Sequence, residues 1–294
     1  IRSLVRGRSI RYKCIANIKS IAWISSLWIK NYDYIIANHW NTAHDVYQLP
    51  ERCGKKWHYI RDIEEWAFYF KSELDSFKLP IKKIVVAQWI KEKLKNKYSI
   101  EVDSVITNGT ECDPFILKSA KPDPNVTLNI GMCCGDHPMK GIQYGIKGIE
   151  IAYEKLANFN IILFGFSKKH ISTNLPYEWI QSPTGEDLRE VYRRIHIFIS
   201  PSIQEGFHNP PREAMVAECA LIATNVGCIP DIGNDSENMC IVPVMDEQAI
   251  SNSIIKLIKD HNLRNSIMKK AASSIRSEDW DSRVNNFINL MINS

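Results

Sequence analysis

The chain lacks several features that would have narrowed its chemistry at once. Its 294 residues contain no Cys-x-x-Cys pair: the eight cysteines stand at 14, 53, 112, 133, 134, 219, 228 and 240. Zinc-ribbon and dithiol redox chemistry is therefore not expected, and the thiols read as reduced in a cytoplasmic setting. No His, Cys, Asp and Glu cluster has metal-ligand spacing, so no metal is expected. No signal-peptide pattern opens the sequence. No apolar run approaches the about 20 residues that cross a bilayer. The best, residues 21–29, lies between Lys19 and Lys30. Internal repeats and low-complexity tracts are missing too. The first 32 residues hold seven basic side chains and no acidic one. No glycine-rich strand-loop of the kind that approaches phosphates precedes Ile10, which reads either as a first domain lacking about two strands or as a degraded gene.

What is present is ample core and an uneven charge. Hydrophobic residues make up 45% of the chain, enough for two domains of ordinary size. Residues 1–122 carry 21 Lys/Arg against 13 Asp/Glu, a net +8, and residues 123–294 a net −4. A basic half beside apolar Ile18, Ile21, Ala22, Trp28 and Ile29 fits an anionic membrane surface. A helix over 15–30 with its apolar stripe in a core fits equally well. No nucleic-acid partner is expected.

Short apolar runs alternate with amphipathic stretches. Strands are expected at 34–37, 56–60, 83–87, 104–107, 126–133, 160–167, 178–180, 195–199, 220–224 and 240–243, with helices between most of them. That alternation predicts an α/β fold with doubly wound parallel sheets. The polar, proline-bearing segment 118–125 is the best boundary. It gives a first domain over 1–121, a second over 122–275 and a terminal helix over 276–294.

The most informative stretch is Ser200-Pro-Ser-Ile-Gln-Glu-Gly-Phe-His-Asn-Pro-Pro-Arg-Glu-Ala-Met215. It reads as strand, loop and helix, with Asn209 as cap, Pro210 and Pro211 in the first turn, and helix from Glu213 to Ala220. Glu205 and Glu213 straddle a helix N-terminus, where the N–H groups of Gly206, Phe207, His208 and Asn209 can hold an anion. Two acids beside an anion site suit a ligand that is both anionic and hydroxyl-rich, as a nucleotide sugar is. Lys140, after a strand and before Gly141 and a helix, supplies a cation. Gly165 ends another strand and walls the same pocket. In the first half, His39, Asp62 and Glu64 follow strand ends, as ligand-facing residues or as ordinary surface groups.

Glu205-Gly206-Phe207 with Glu213-Ala214-Met215, then 223–231 as Ala-Thr-Asn-Val-Gly-Cys-Ile-Pro-Asp, resembles the Glu-x7-Glu signature of family 4 GT-B glycosyltransferases. Val105-Ile-Thr-Asn-Gly-Thr-Glu-Cys-Asp-Pro-Phe115 resembles the end of that family's first domain. Residues 57–69 are similar to a segment of its bacterial rhamnosyltransferase-like members. The resemblance implies a GT-B fold: two Rossmann-like domains facing a cleft, with the terminal helix crossing back to the first. It implies a retaining hexosyltransferase of polysaccharide or glycoconjugate synthesis that needs no cofactor. Its partners are a nucleoside-diphosphate sugar and a glycan or lipid-linked acceptor. Glu213 then meets the ribose, Glu205 the hexose, and Lys140 the diphosphate, while His39, Asp62 or Glu64 face the acceptor. The family's phosphate-loop arginine is missing, and Cys133 and Cys134 stand near its place. An inactive glycan-binding module and a GT-B nucleotide-sugar epimerase remain as alternatives.

Overall fold

The computed structural model describes residues 23–67, 69–111, 127–275 and 278–293. These fall into two compact units. Residues 23–85 and 94–104 belong to the first, and residues 86–93 with 105–293 to the second. The linker read at 118–125 lies outside the described residues.

In the first unit, β1 (Tyr34–Ala37), β2 (Lys55–Ile60), β3 (Lys82–Val85) and β4 (Ser104–Val105) form one sheet in the order β1-β2-β3-β4. β1 pairs with β2, and β2 with β3, in parallel. Helices α1 (Trp40–Gln48) and α2 (Phe70–Phe77) follow β1 and β2, and α3 (Gln88–Tyr98) follows β3. Trp57, Ile60, Phe77 and Ile84 are fully buried. The helix expected over 15–30 is not formed in its described part. Residues 23–30 make turns instead, with the Trp28 and Ile29 N–H groups on the Ser25 carbonyl. The serine pair Ser25-Ser26 supplies a local turn that competes with helix.

The second unit holds a six-stranded sheet. Its strands are β5 (Leu128–Cys134), β6 (Phe159–Gly165), β7 (Glu178–Gln181), β8 (Ile197–Ser200), β9 (Ala220–Thr224) and β10 (Cys240–Val242). All the pairings are parallel, in the order β10-β9-β8-β5-β6-β7. The unit winds outward from β5 to β7, then restarts at β8 on β5's other side. This is the doubly wound order, and its reversal lies between β5 and β8.

The helices are α4 (Ile142–Lys155), α5 (Glu186–Arg194), α6 (Asn209–Val216), α7 (Ile229–Ile232), α8 (Glu247–Lys259), α9 (His261–Ile275) and α10 (Trp280–Ile292). Continuous apolar runs serve both faces of a buried parallel sheet. Ile197 and Ile199 pack in one core with Ile146, Ile222 and Ile254. Phe198, between them, packs in the other with Tyr192, Met215 and Leu221.

Several strand ends shift by one or two residues from the sequence expectation, and one helix boundary shifts further. The helix expected to reach Ala220 stops at Val216. Glu218 turns the chain at φ 54°, and Ala220 enters β9 in register with Ile197. Residues 220–223 are more stabilised as a central strand than as a further helical turn.

Candidate functional site

Ligands of doubly wound sheets bind outside the carboxyl ends of the strands that flank the reversal. Here those ends belong to β5 and β8. The loop after β5 runs through a 3-10 turn at Pro138–Lys140, capped by the His137 ring on the Met139 N–H at 3.2 Å. The loop after β8 runs from Pro201 to His208 and opens α6. The loops are clasped together: the Ile203 N–H donates to the Met139 carbonyl at 2.7 Å. Gly141, at φ 64°, leaves no room for a Cβ against the Pro201 carbonyl.

The clasp brings Lys140 onto Glu205. The ammonium donates to both carboxylate oxygens, at 2.8 and 3.0 Å. Ser202 Oγ donates to Glu205 Oε1 at 2.7 Å, and His208 Nε2 lies 3.4 Å from the same oxygen. Burial works to raise the Glu205 carboxyl; His208, Lys140 and Ser202 outweigh it and hold it below the usual carboxylate range. Glu213, in the first turns of α6, accepts a 2.8 Å bond from the Tyr192 hydroxyl. Burial nevertheless pushes its carboxyl up. The N–H groups of Gly206, Phe207 and His208 have no partner among the described residues, and Asn209 opens the helix. They remain available to an anion. Gly165, at φ 139°, ends β6 in register with Cys134, on the far side of β5 from β8.

So Lys140, Glu205, Glu213 and the N–H groups of 206–209 gather at the ends of β5 and β8, with one shift, while Gly165 stands at the end of β6. The N-cap of α6 is His208, not Asn209. Sequence reasoning missed Ser202 and Tyr192, whose hydroxyls hold the two glutamates. It also missed Gly227, where a Cβ would press on the Phe207 carbonyl and on Glu205 and His208. Arg212, 1% exposed, bonds the Asn108 carbonyl and lies 4.9 Å from the Phe207 ring centroid. It fixes the loop from behind. Beyond it, a cavity of about 350 Å³ is lined by Phe207, Arg212, Cys228, Asp231, Asn238 and Glu278, among others. Half-buried Cys133 feels Glu213, Lys140 and Glu205; burial and then Glu213 push its thiol up to about 12, so it is a neutral group in the site.

In the first unit, His39 caps α1 at the end of β1 and pairs with Asn41 at 2.8 Å. Asp62 accepts from the Ile63 N–H at 2.8 Å. The Glu64 N–H donates to the buried Glu73 carboxyl at 3.2 Å. β1 and β2 are parallel neighbours, so these residues share one edge of the sheet. Glu73 gave no sequence signal. Burial, followed by the like charges of Glu64, Asp62 and Glu65, pushes it up to about 7 despite the Glu64 N–H. Its protonated form is the one that folding favours. The stability this group contributes is present below about 4.5 and is lost as pH rises through about 7. Glu73→Gln is therefore expected to stabilise the protein by about 1–3 kcal/mol at pH 8 and by close to nothing at pH 4. Chemical denaturation at the two pH values measures the difference, and an equal effect at both would refute the assignment.

Among the described residues no His, Cys, Asp and Glu group could hold a metal ion. No described helix is long and apolar enough to cross a membrane.

A family model described as Glycosyl transferases group 1 matches residues 127–260. The capsular polysaccharide biosynthesis glycosyltransferase CapM of Staphylococcus aureus is 26% identical over 258 residues, which cover 80% of this chain and 67% of CapM. The solved structure of a mutant of S. aureus TarM, in complex with fondaparinux, alpha-GlcNAc-glycerol and UDP, has TM-score 0.75 at 17% identity. It covers 90% of this chain and 57% of TarM. Anabaena HepE with UDP-glucose has TM-score 0.74 at 14% identity, over 90% of this chain and 79% of HepE. These likenesses establish the fold as GT-B.

Proposed function

We propose that the chain, whose residues 127–260 match the glycosyl transferases group 1 model, moves a hexose from a nucleoside-diphosphate sugar to a glycan or lipid-linked acceptor, retaining the anomeric configuration. The observation that carries this reading is the crevice between β5 and β8, where one cation, two carboxylates and unpaired N–H groups converge. Each group has a role at a different part of the donor. Glu213, steadied by Tyr192, accepts from the ribose hydroxyls. Glu205 accepts from the hexose hydroxyls on the face away from the leaving group. Lys140 and the N–H groups of Gly206, Phe207, His208 and Asn209 hold the diphosphate.

In the reaction, the bond from the anomeric carbon to the diphosphate oxygen breaks, and its electron pair leaves with the diphosphate. The acceptor oxygen bonds to that carbon from the same face, and its proton passes to the departing phosphate oxygen. Negative charge grows on the leaving group as the bond opens. Lys140 and the loop N–H groups stabilise that growth more than they stabilise the bound donor, which lowers the barrier. No cofactor or metal enters. UDP-glucose in HepE and UDP in TarM favour a UDP-sugar as donor, and CapM's role favours a polysaccharide acceptor. His39, Asp62 and Glu64 are the acceptor-side residues of this reading.

The missing phosphate-loop arginine, with Cys133 and Cys134 near its place by resemblance, supports a second reading, an inactive glycan-binding module. The two separate on release of nucleoside diphosphate from UDP-, GDP- or dTDP-sugars with a glycan acceptor present. Release that disappears in Glu205→Gln supports the transferase. A donor that binds without any release supports the module.

The basic first half is proposed to lie on an anionic membrane at the inner face of the cell membrane. Trp23, Leu27 and Trp28 are 62%, 74% and 59% exposed there, and exposed tryptophans beside cations suit the lipid–water interface. Co-sedimentation with phosphatidylglycerol vesicles but not with phosphatidylcholine vesicles is the expected result. Sedimentation with neither would remove the membrane from the account.

A further inference from the structure

His208 holds a backbone conformation that a non-glycine residue rarely adopts, φ 87° and ψ 78°. Such conformations persist only where the surroundings over-determine them, and they cluster at functional sites. Here the surroundings are specific. The ring is buried, and its Nε2 lies 2.8 Å from Ser200 Oγ, 3.4 Å from Ser202 Oγ and 3.4 Å from Glu205 Oε1. Ser200 ends β8, so the ring is tied to the rigid sheet. Thr224 on neighbouring β9 ties the same loop, donating to the Ser202 carbonyl at 2.5 Å. The opposite ring nitrogen, Nδ1, is buried without a hydrogen-bond partner among the described residues.

We infer that the His208 imidazole is a positioning residue: a neutral ring, protonated on Nε2, that braces the Glu205 carboxylate when Lys140 leaves it. The inference rests on the reading of Glu205 as the group that meets the hexose. Lys140 donates to both Glu205 oxygens. A diphosphate recruits that ammonium, and Glu205 then loses its strongest partner as the sugar arrives. Ser202 Oγ and the His208 ring are the two groups that stay with Oε1.

The tautomer follows from the geometry. Ser200 Oγ at 2.8 Å can accept from Nε2, the Glu205 carboxylate 3.4 Å away favours a hydrogen over a lone pair there, and Nδ1 faces no acceptor among the described residues, so the proton belongs on Nε2. Burial agrees, because it lowers the ring's pKa to about 4 although Glu205 pulls it upward. A neutral ring also adds no second cation, so Glu205 remains free to accept from a hydroxyl. The groups facing the ring are Ser200 and Ser202 from β8 and its loop, Glu205 from the same loop and Lys140 from the loop after β5, while Cys228, after β9, donates its thiol to the His208 carbonyl at 3.5 Å.

Two measurements test this separately. The first is nitrogen-15 NMR of histidine-labelled protein without ligand, with His208 assigned by His208→Gly. The expected spectrum is the Nε2–H tautomer, unchanged from about pH 8 to pH 6. An Nδ1–H tautomer, or a ring that titrates in that range, would overturn the proposal whatever the protein's activity. The second is His208→Gly, which relieves the backbone strain and removes only the ring. Turnover of the donor is expected to fall about tenfold while affinity for the matching nucleoside diphosphate stays within about twofold, because that ligand lacks the hexose and draws the partly exposed Lys140 from Glu205 with or without the ring. Equal loss of both would mean the loop itself had collapsed, and native turnover would mean the ring does nothing for Glu205; either result overturns it. Should Glu205→Gln prove fully active, the reading of Glu205 fails, and the tautomer result still judges the ring on its own.

Discussion

Glu205→Gln is expected to cut turnover by about 10²–10³ and, at the same time, to tighten nucleoside-diphosphate binding. The loss follows from the place proposed for the carboxylate, opposite the leaving group. Preorganised charge at a reacting centre commonly contributes that much to the rate. The gain follows from the Lys140–Glu205 pair. Lys140 is committed to both Glu205 oxygens, at 2.8 and 3.0 Å, and a diphosphate must compete for it. Lys140 is 39% exposed, so water screens the pair and its strength is modest. Releasing it is expected to improve nucleoside-diphosphate affinity by about fivefold, or ~1 kcal/mol. Calorimetry with UDP, GDP and dTDP reads the affinity, and product release reads the turnover. Weaker nucleotide binding in this variant would show that Glu205 does not hold Lys140 back from the phosphate.

Gly141→Ala is expected to destabilise the second unit by about 3–5 kcal/mol, lowering the unfolding midpoint by about 10 °C. Two costs combine. The residue sits at φ 64°, where an alanine is strained. The larger cost is steric, because the new Cβ would run into the Pro201 carbonyl, and backbone cannot swing aside as a long side chain can. The two loops would have to separate. The Ile203 N–H bond to the Met139 carbonyl would break, and Lys140 would be carried off Glu205. Donor binding should therefore fall with stability. A variant that unfolds at the native temperature would mean the loops are not clasped as described.

The strand-loop-helix after β8 was legible because its punctuation is chemical: Pro201, Gly206 and the pair Pro210-Pro211 allow little else. The alternation of apolar runs held the ingredients of the doubly wound order, and the parallel sheets followed. What the sequence could not show is instructive. Lys140 and Glu205 are 65 positions apart, and nothing local says that they bond to one another before any ligand arrives. Ser202 and Tyr192 carry no charge and no periodic signal, so their grip on the two glutamates appears only in three dimensions. Tyr192 in particular reads as a core residue of α5, and its ring is one, yet its hydroxyl reaches Glu213. Asn209 is the better cap by residue type, but tertiary bonds from Ser200 and Glu205 place His208 there. Glu73 illustrates the same limit in the first unit. A glutamate in an amphipathic helix reads as solvated, and it is burial beside the 61–66 segment, with the like charges there, that raises its pKa. The helix expected over 15–30 failed in its described part for a local reason, the turn at Ser25.

The central claim is that the crevice between β5 and β8 binds a nucleoside-diphosphate sugar through Lys140, Glu205 and Glu213. Isothermal titration of the native protein and of Glu213→Ala with UDP-, GDP- and dTDP-sugars tests it most directly. The account predicts that at least one donor binds the native protein, and that Glu213→Ala loses about 1.5–3 kcal/mol, or about 10- to 150-fold, in its affinity. Binding of none of these donors, or equal binding by both proteins, would contradict it.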